Sequence, residues 1–148
     1  YEVADQHPDF RDAIRMWHDN WIDLATPPIV QSVRCLRALR ENGIPVFALT
    51  NFGIDTFAIA QARYDFLNEF DREYVSARMR VIKPDAQIYE MVEADCRLDP
   101  TTLLFADDRA DNINAAAARG WQTHVFDGPQ GWADRLVAEG LLTKEQAQ

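Results

Sequence analysis

Cysteine is scarce in this sequence: Cys35 and Cys96 are the only two among 148 residues. Two thiols cannot make a disulfide framework, and each lies inside an apolar helical pattern. Both are therefore expected to be buried free thiols of a protein kept in a reducing, cytoplasmic compartment. Long apolar runs are missing too, none approaching the roughly 20 residues that cross a bilayer. The six glycines include neither G-x-G-x-x-G nor G-x-x-x-x-G-K, so these two nucleotide-cradling loops are absent. Basic residues are in deficit, with 15 Lys and Arg against 24 Asp and Glu, for a net charge of −9. Such a balance, with pI near 4.7, disfavours nucleic acid and anionic membrane surfaces as partners. The opening residues carry no charged segment followed by an apolar one, so no signal peptide is expected. The chain begins at Tyr1 rather than Met, and its start reads as internal to a longer protein.

What is present is ordinary globular composition, 47% hydrophobic and 26% charged, at the length of one domain. Residues 9–25 carry Phe10, Ile14, Trp17, Trp21 and Leu24 at helical spacing, and Trp17 and Trp21 on this stripe are expected to be core rather than substrate contacts. Pro27-Pro28 ends it, and a second helix is predicted over 29–42, closed by Gly43. Residues 44–49 form a continuous apolar run, the pattern of a strand buried on both faces, and stop abruptly at Thr50-Asn51. A helix is expected over 56–66 and a strand over 74–82, ending at Lys83-Pro84. Asp85 caps a helix reaching about Arg97. A second fully apolar strand at 103–106 ends in Asp107-Asp108. A short helix over 113–119, a strand over 122–126 and a helix over 132–139 complete the chain. From Ile29 onward strands alternate with helices, the signature of an α/β fold with a parallel sheet covered by helices. There is no internal repeat and no linker.

In open α/β sheets ligands bind beyond the carboxyl ends of the strands. Thr50 and Asn51, Lys83, and Asp107 and Asp108 are the groups expected there. Carboxylates with few other ligands suit Mg²⁺, which keeps several waters. A hydroxyl, backbone N–H groups and an ammonium suit a phosphate. Thr50-Asn51 could be only a helix cap, and Lys83 only a loop lysine. Asp107-Asp108 is harder to explain away, since adjacent carboxylates repel unless something compensates them. Asp111 and Asn112 are expected to flank the start of the next helix; support of the carboxylate pair is the lesser alternative. His7, His18 and His124 lack metal-ligand spacing.

The runs VFALTNF (46–52), VIKPDAQIY (81–89) and LLFADDRADNINAAAARG (103–120) resemble motifs II, III and IV of the haloacid dehalogenase (HAD) superfamily of hydrolases. The likeness is to its sugar-phosphate phosphatase and epoxide-hydrolase-N-domain-like branch, over residues 9–142. It implies a Rossmann-like core, residues 28–148, preceded by the end of a helical cap, residues 1–27. It also implies Mg²⁺-dependent hydrolysis of a small phosphorylated metabolite, such as a sugar phosphate, through an aspartyl-phosphate. In that likeness Thr50 binds the phosphoryl group with Asn51 beside it, Lys83 neutralises its oxygens, Asp108 ligates Mg²⁺ and Asp107 reaches the ion through water. Motif I, a D-x-D after an apolar strand, has no match. The 148 residues thus lack the family's nucleophile and its central strand, and are expected to be inactive alone. A 2-haloacid dehalogenase is disfavoured by the carboxylate pair, and a phospho-acceptor receiver domain by the motif order. A non-catalytic binding module is the remaining alternative, and homo-oligomerisation is compatible with all of these.

Overall fold

The computed structural model describes residues 2–148. Two helices open it, α1 (Glu2–Gln6) and α2 (Arg11–Leu24), joined by a single 3-10 turn at Pro8–Phe10. Then follow α3 (Val30–Glu41), β1 (Phe47–Thr50), α4 (Ile54–Arg63), β2 (Arg72–Val75), α5 (Ser76–Met79) and α6 (Ala86–Cys96). The chain closes with β3 (Leu104–Asp107), α7 (Ala110–Ala117), β4 (Gln122–Val125) and α8 (Pro129–Ala138). The α6 start is capped as its sequence indicates, with the Asp85 carboxylate accepting from the Gln87 N–H.

The strands form two separate parallel pairs. Phe47 to Thr50 of β1 run beside Arg72 to Val75 of β2, and Leu104 to Asp107 of β3 beside Gln122 to Val125 of β4. No ladder joins β1 to β3 among the described residues. Both pairs nonetheless lie in one layer, because strand alternation sends their side chains into the same two cores. Phe47, Leu49, Tyr74 and Phe105 pack with Ile88, Tyr89 and Val92 of α6 and Ile113 and Ala116 of α7. Val46 and Leu104 point the other way, to Cys35 and Leu39 of α3 and Ala133 and Leu136 of α8. Tyr89, Phe105 and Trp121 meet edge to face, with ring centroids 5.5 to 6.1 Å apart. Each such pair adds about 0.5–1.5 kcal/mol beyond its burial.

Four expectations need correction. The strand expected over 74–82 covers only Arg72–Val75, since Ser76 starts α5. The Ser76 hydroxyl accepts from the Phe52 N–H at 3.0 Å, a tertiary bond that draws the chain out of the strand. The four β1 residues are half-buried rather than fully enclosed, because only one edge of β1 is paired. Trp17 is 62% exposed rather than core, while Trp21 is half-buried. Cys35 is buried but Cys96 only partly so.

Candidate active site

The site is built where β1 and β3 end. Lys83 lies on the loop before α6, beyond α5, and its side chain reaches back to both strands. Its ammonium donates to the Leu49 carbonyl at 2.8 Å and to Asp107 Oδ2 at 2.6 Å. It also stands 5.5 Å from the centroid of the Phe105 ring. Both partners of the ion pair are buried, with side chains 9% and 6% exposed. Taking two charges out of water costs several kcal/mol each, and here both carboxylate oxygens find donors while the ammonium has two acceptors. Asp107 Oδ1 accepts from the Arg109 N–H and from Asn112 Nδ2, both at 2.9 Å. Burial pushes the Asp107 carboxyl up, but the Lys83, Arg109 and Asn112 hydrogen bonds together outweigh it and hold the pKa below the ordinary aspartate value.

Asn112 is 2% exposed, in the first turn of α7. Its backbone carbonyl accepts from the Tyr89 hydroxyl at 2.9 Å, which ties that turn to α6. Tyr89 is fully enclosed, and its phenol is pushed up to about 12 by burial, then by the nearby Asp107 charge. The supporting place for Asn112, the lesser alternative from sequence, is the one found. A five-residue step from a strand-end Asp into a following helix was the available signal. Asp111 is exposed and within 3.7 Å of Arg109.

Asn51 faces Lys83 directly. Its Nδ2 donates to the Lys83 carbonyl at 3.0 Å, and its Oδ1 accepts from the Lys83 N–H at 2.9 Å. Thr50, the last residue of β1, lies between Leu49 and Asn51, both of which bind Lys83. The residue capping the following helix is Gly53, with no side-chain bond, so neither Thr50 nor Asn51 serves as that cap. Phe52 continues the segment, with Trp21 of α2 edge-on at 5.5 Å and Phe57 at 5.7 Å. Asp108 is exposed, and its carboxylate has no hydrogen bond or ion pair among the described residues. Asn51, Lys83 and Asp107 are thus brought into contact, with Thr50 and Asp108 as their chain neighbours. Sequence reasoning missed the Leu49 carbonyl and the Tyr89 and Ser76 hydroxyls, which carry no motif of their own.

Comparison with known proteins decides the family. Residues 3–120 match the haloacid dehalogenase-like hydrolase model. The chain belongs to the haloacid dehalogenase-like hydrolases. Among its relatives, the sesquiterpene phosphatase astK of Aspergillus oryzae is 30% identical over 94 residues, 63% of this chain and 47% of that protein. The bifunctional epoxide hydrolase 2 of Rattus norvegicus is 29% identical over 90 residues, 58% of this chain and 16% of that protein. A HAD family enzyme of Bacteroides thetaiotaomicron, solved with magnesium and inorganic phosphate, superposes with a TM-score of 0.58 at 26% identity. That match covers 66% of this chain and 51% of the enzyme. The magnesium complex of the same enzyme gives 0.60 at 27% identity, covering 79% and 67%. The chain therefore spans about half the length of the phosphatase it matches. The Rossmann-like α/β fold of these neighbours is the fold of this chain. No helix among the described residues is long and apolar enough to cross a membrane.

Proposed function

We propose that this hydrolase is a Mg²⁺-dependent phosphomonoesterase acting on a small phosphorylated metabolite. The observation that carries this reading is the Lys83 ammonium, fixed between Leu49 and Asp107 where β1 and β3 end. A buried, preorganised cation stabilises charge on a transferring phosphoryl group without reorganising at the moment of reaction. Thr50 donates to a phosphoryl oxygen. The Asn51 side chain is committed to Lys83, so its contribution to the anion falls to its backbone N–H. The phosphatase relative and the neighbour holding magnesium and phosphate support the same assignment.

The residues fit magnesium in a specific way. Both Asp107 oxygens are occupied by protein donors, whereas Asp108 is an exposed carboxylate without a partner among the described residues. No group of three or more metal-ligating side chains exists among the described residues. One or two carboxylates, several waters and a substrate phosphate are what Mg²⁺ commonly takes. In this reading Asp108 would hold the ion and Asp107 would support it from behind. When bound, the ion supplies Lewis-acid polarisation of a phosphoryl oxygen. Asp107, paired with Lys83, is unsuited to act as a carboxylate nucleophile, and this reading gives that role to a D-x-D, for which these 148 residues hold no match. Residues 1–27 are assigned to a helical cap and 28–148 to the catalytic core.

The test is turnover of a generic phosphomonoester titrated with Mg²⁺, for the 148-residue chain and for a longer form carrying a D-x-D. Turnover should appear only in the longer form, and Asp108→Asn there should raise the Mg²⁺ requirement about tenfold or more. An unchanged requirement counts against Asp108 as the ligand, and equal turnover by both forms counts against the assignment of the nucleophile.

A further inference from the structure

We propose that Asn51 is a positioning residue that sets where the Lys83 ammonium stands, rather than a group that itself grips the substrate. The proposal rests on the phosphatase reading for its catalytic meaning, but its geometry stands apart from it. A primary amide facing a peptide unit offers one donor and one acceptor, and Asn51 uses both on one residue, the Lys83 N–H and C=O. The bracket spans 32 positions of sequence and closes the loop before α6 onto the end of β1. The ammonium of the same lysine returns to Leu49, two residues before Asn51. Lys83 is thus keyed to β1 at both its backbone and its tip, and the tip is delivered to Asp107 across the layer. A flexible four-carbon stem loses much of its rotamer freedom only when both ends are held, and Asn51 holds the backbone end.

The contact one residue further on provides a control. The Ser76 hydroxyl bridges Phe52, accepting from its N–H at 3.0 Å and donating to its carbonyl at 3.3 Å. Removing that hydroxyl loosens the same segment without touching the Asn51–Lys83 bracket.

The sequence supplies its own internal standard, because it contains only two lysines, Lys83 and Lys144. Lys144 is exposed, whereas the Lys83 side chain is 9% exposed. Competitive acetylation of the folded 148-residue protein, read by mass spectrometry, gives the ratio of modification at Lys83 to that at Lys144. Wild type should show Lys83 strongly protected. Asn51→Ala should raise the ratio about fivefold or more, as two hydrogen bonds to the lysine backbone are lost. Ser76→Ala should move it by less than about twofold. Asn51→Asp, which keeps the shape and the acceptor but loses the donor, should fall between. Far-ultraviolet circular dichroism on each variant separates local release from unfolding; if Asn51→Ala does not fold, the Asn51→Asp ratio against Ser76→Ala decides. An Asn51 ratio equal to wild type, or one matched by Ser76→Ala, overturns the proposal. The assay reads no turnover, so it fails or succeeds independently of the phosphatase reading.

Discussion

Replacing Lys83 by Met keeps most of the stem and removes the charge, so it strands Asp107 as a buried carboxylate. Breaking a buried pair from one side costs about 3–5 kcal/mol. Asp107 keeps the Arg109 N–H and the Asn112 amide on Oδ1, which places the expected loss near the lower end, about 3 kcal/mol. For a domain of this size that is roughly 6–12 °C of melting temperature. Removing the stranded charge as well, with Asp107→Asn, should recover about 1–2 kcal/mol. The dependence on pH has a definite sign. The wild-type Asp107 pKa is lowered, so its contribution is full above the unfolded value near ~3.9 and is lost as pH falls through the folded one. In Lys83→Met burial acts with less opposition, and the carboxyl protonates at higher pH. The stability gap between the two proteins is therefore widest near neutrality and narrows on acidification. Urea unfolding of wild type, both single variants and the double variant, in EDTA across the acid range, measures all of this. A gap under about 0.5 kcal/mol at neutral pH, or one that stays flat into acid, would refute the account of a buried, mutually dependent pair.

Two further outcomes follow from neighbouring contacts. Asn112→Asp places a second carboxylate 2.9 Å from Asp107 Oδ1 and should destabilise by about 1–3 kcal/mol at neutral pH, with less loss in acid; thermal melts at two pH values check it. Phe52→Leu removes two edge-to-face ring contacts, with Trp21 and Phe57, and should cost about 1–2 kcal/mol by denaturant unfolding.

Much of this architecture is legible in the sequence where local and tertiary signals agree. The run before Asp107 is apolar, the helix after it is Ala-rich, and Gly120 sits at φ +90° just past its end, a conformation that favours glycine. The α6 cap is equally local. The end of the second strand is not legible locally, because nothing in Ser76–Met79 marks a helix start; the Ser76 hydroxyl bonds the backbone of Phe52, 24 positions away. The same distance hid the Asn51–Lys83 bracket, as nothing in either residue's surroundings names a partner 32 positions away. Helical periodicity placed Trp17 and Trp21 on one face of α2 but could not tell which of them meets Phe52.

The division of the strands into two unlinked pairs has a mechanical consequence. Within each pair the backbone ladder makes distances nearly inextensible, so Thr50 keeps its place relative to Val75, and Asp107 relative to Val125. Among the described residues no ladder joins the two pairs. Stiffness there comes from interdigitated side chains, which can repack, and from one ammonium held by both sides. Across that seam the Lys83 side chain ties Leu49 of β1 to Asp107 of β3, so a residue of the loop before α6 links the two strand ends where no strand register does.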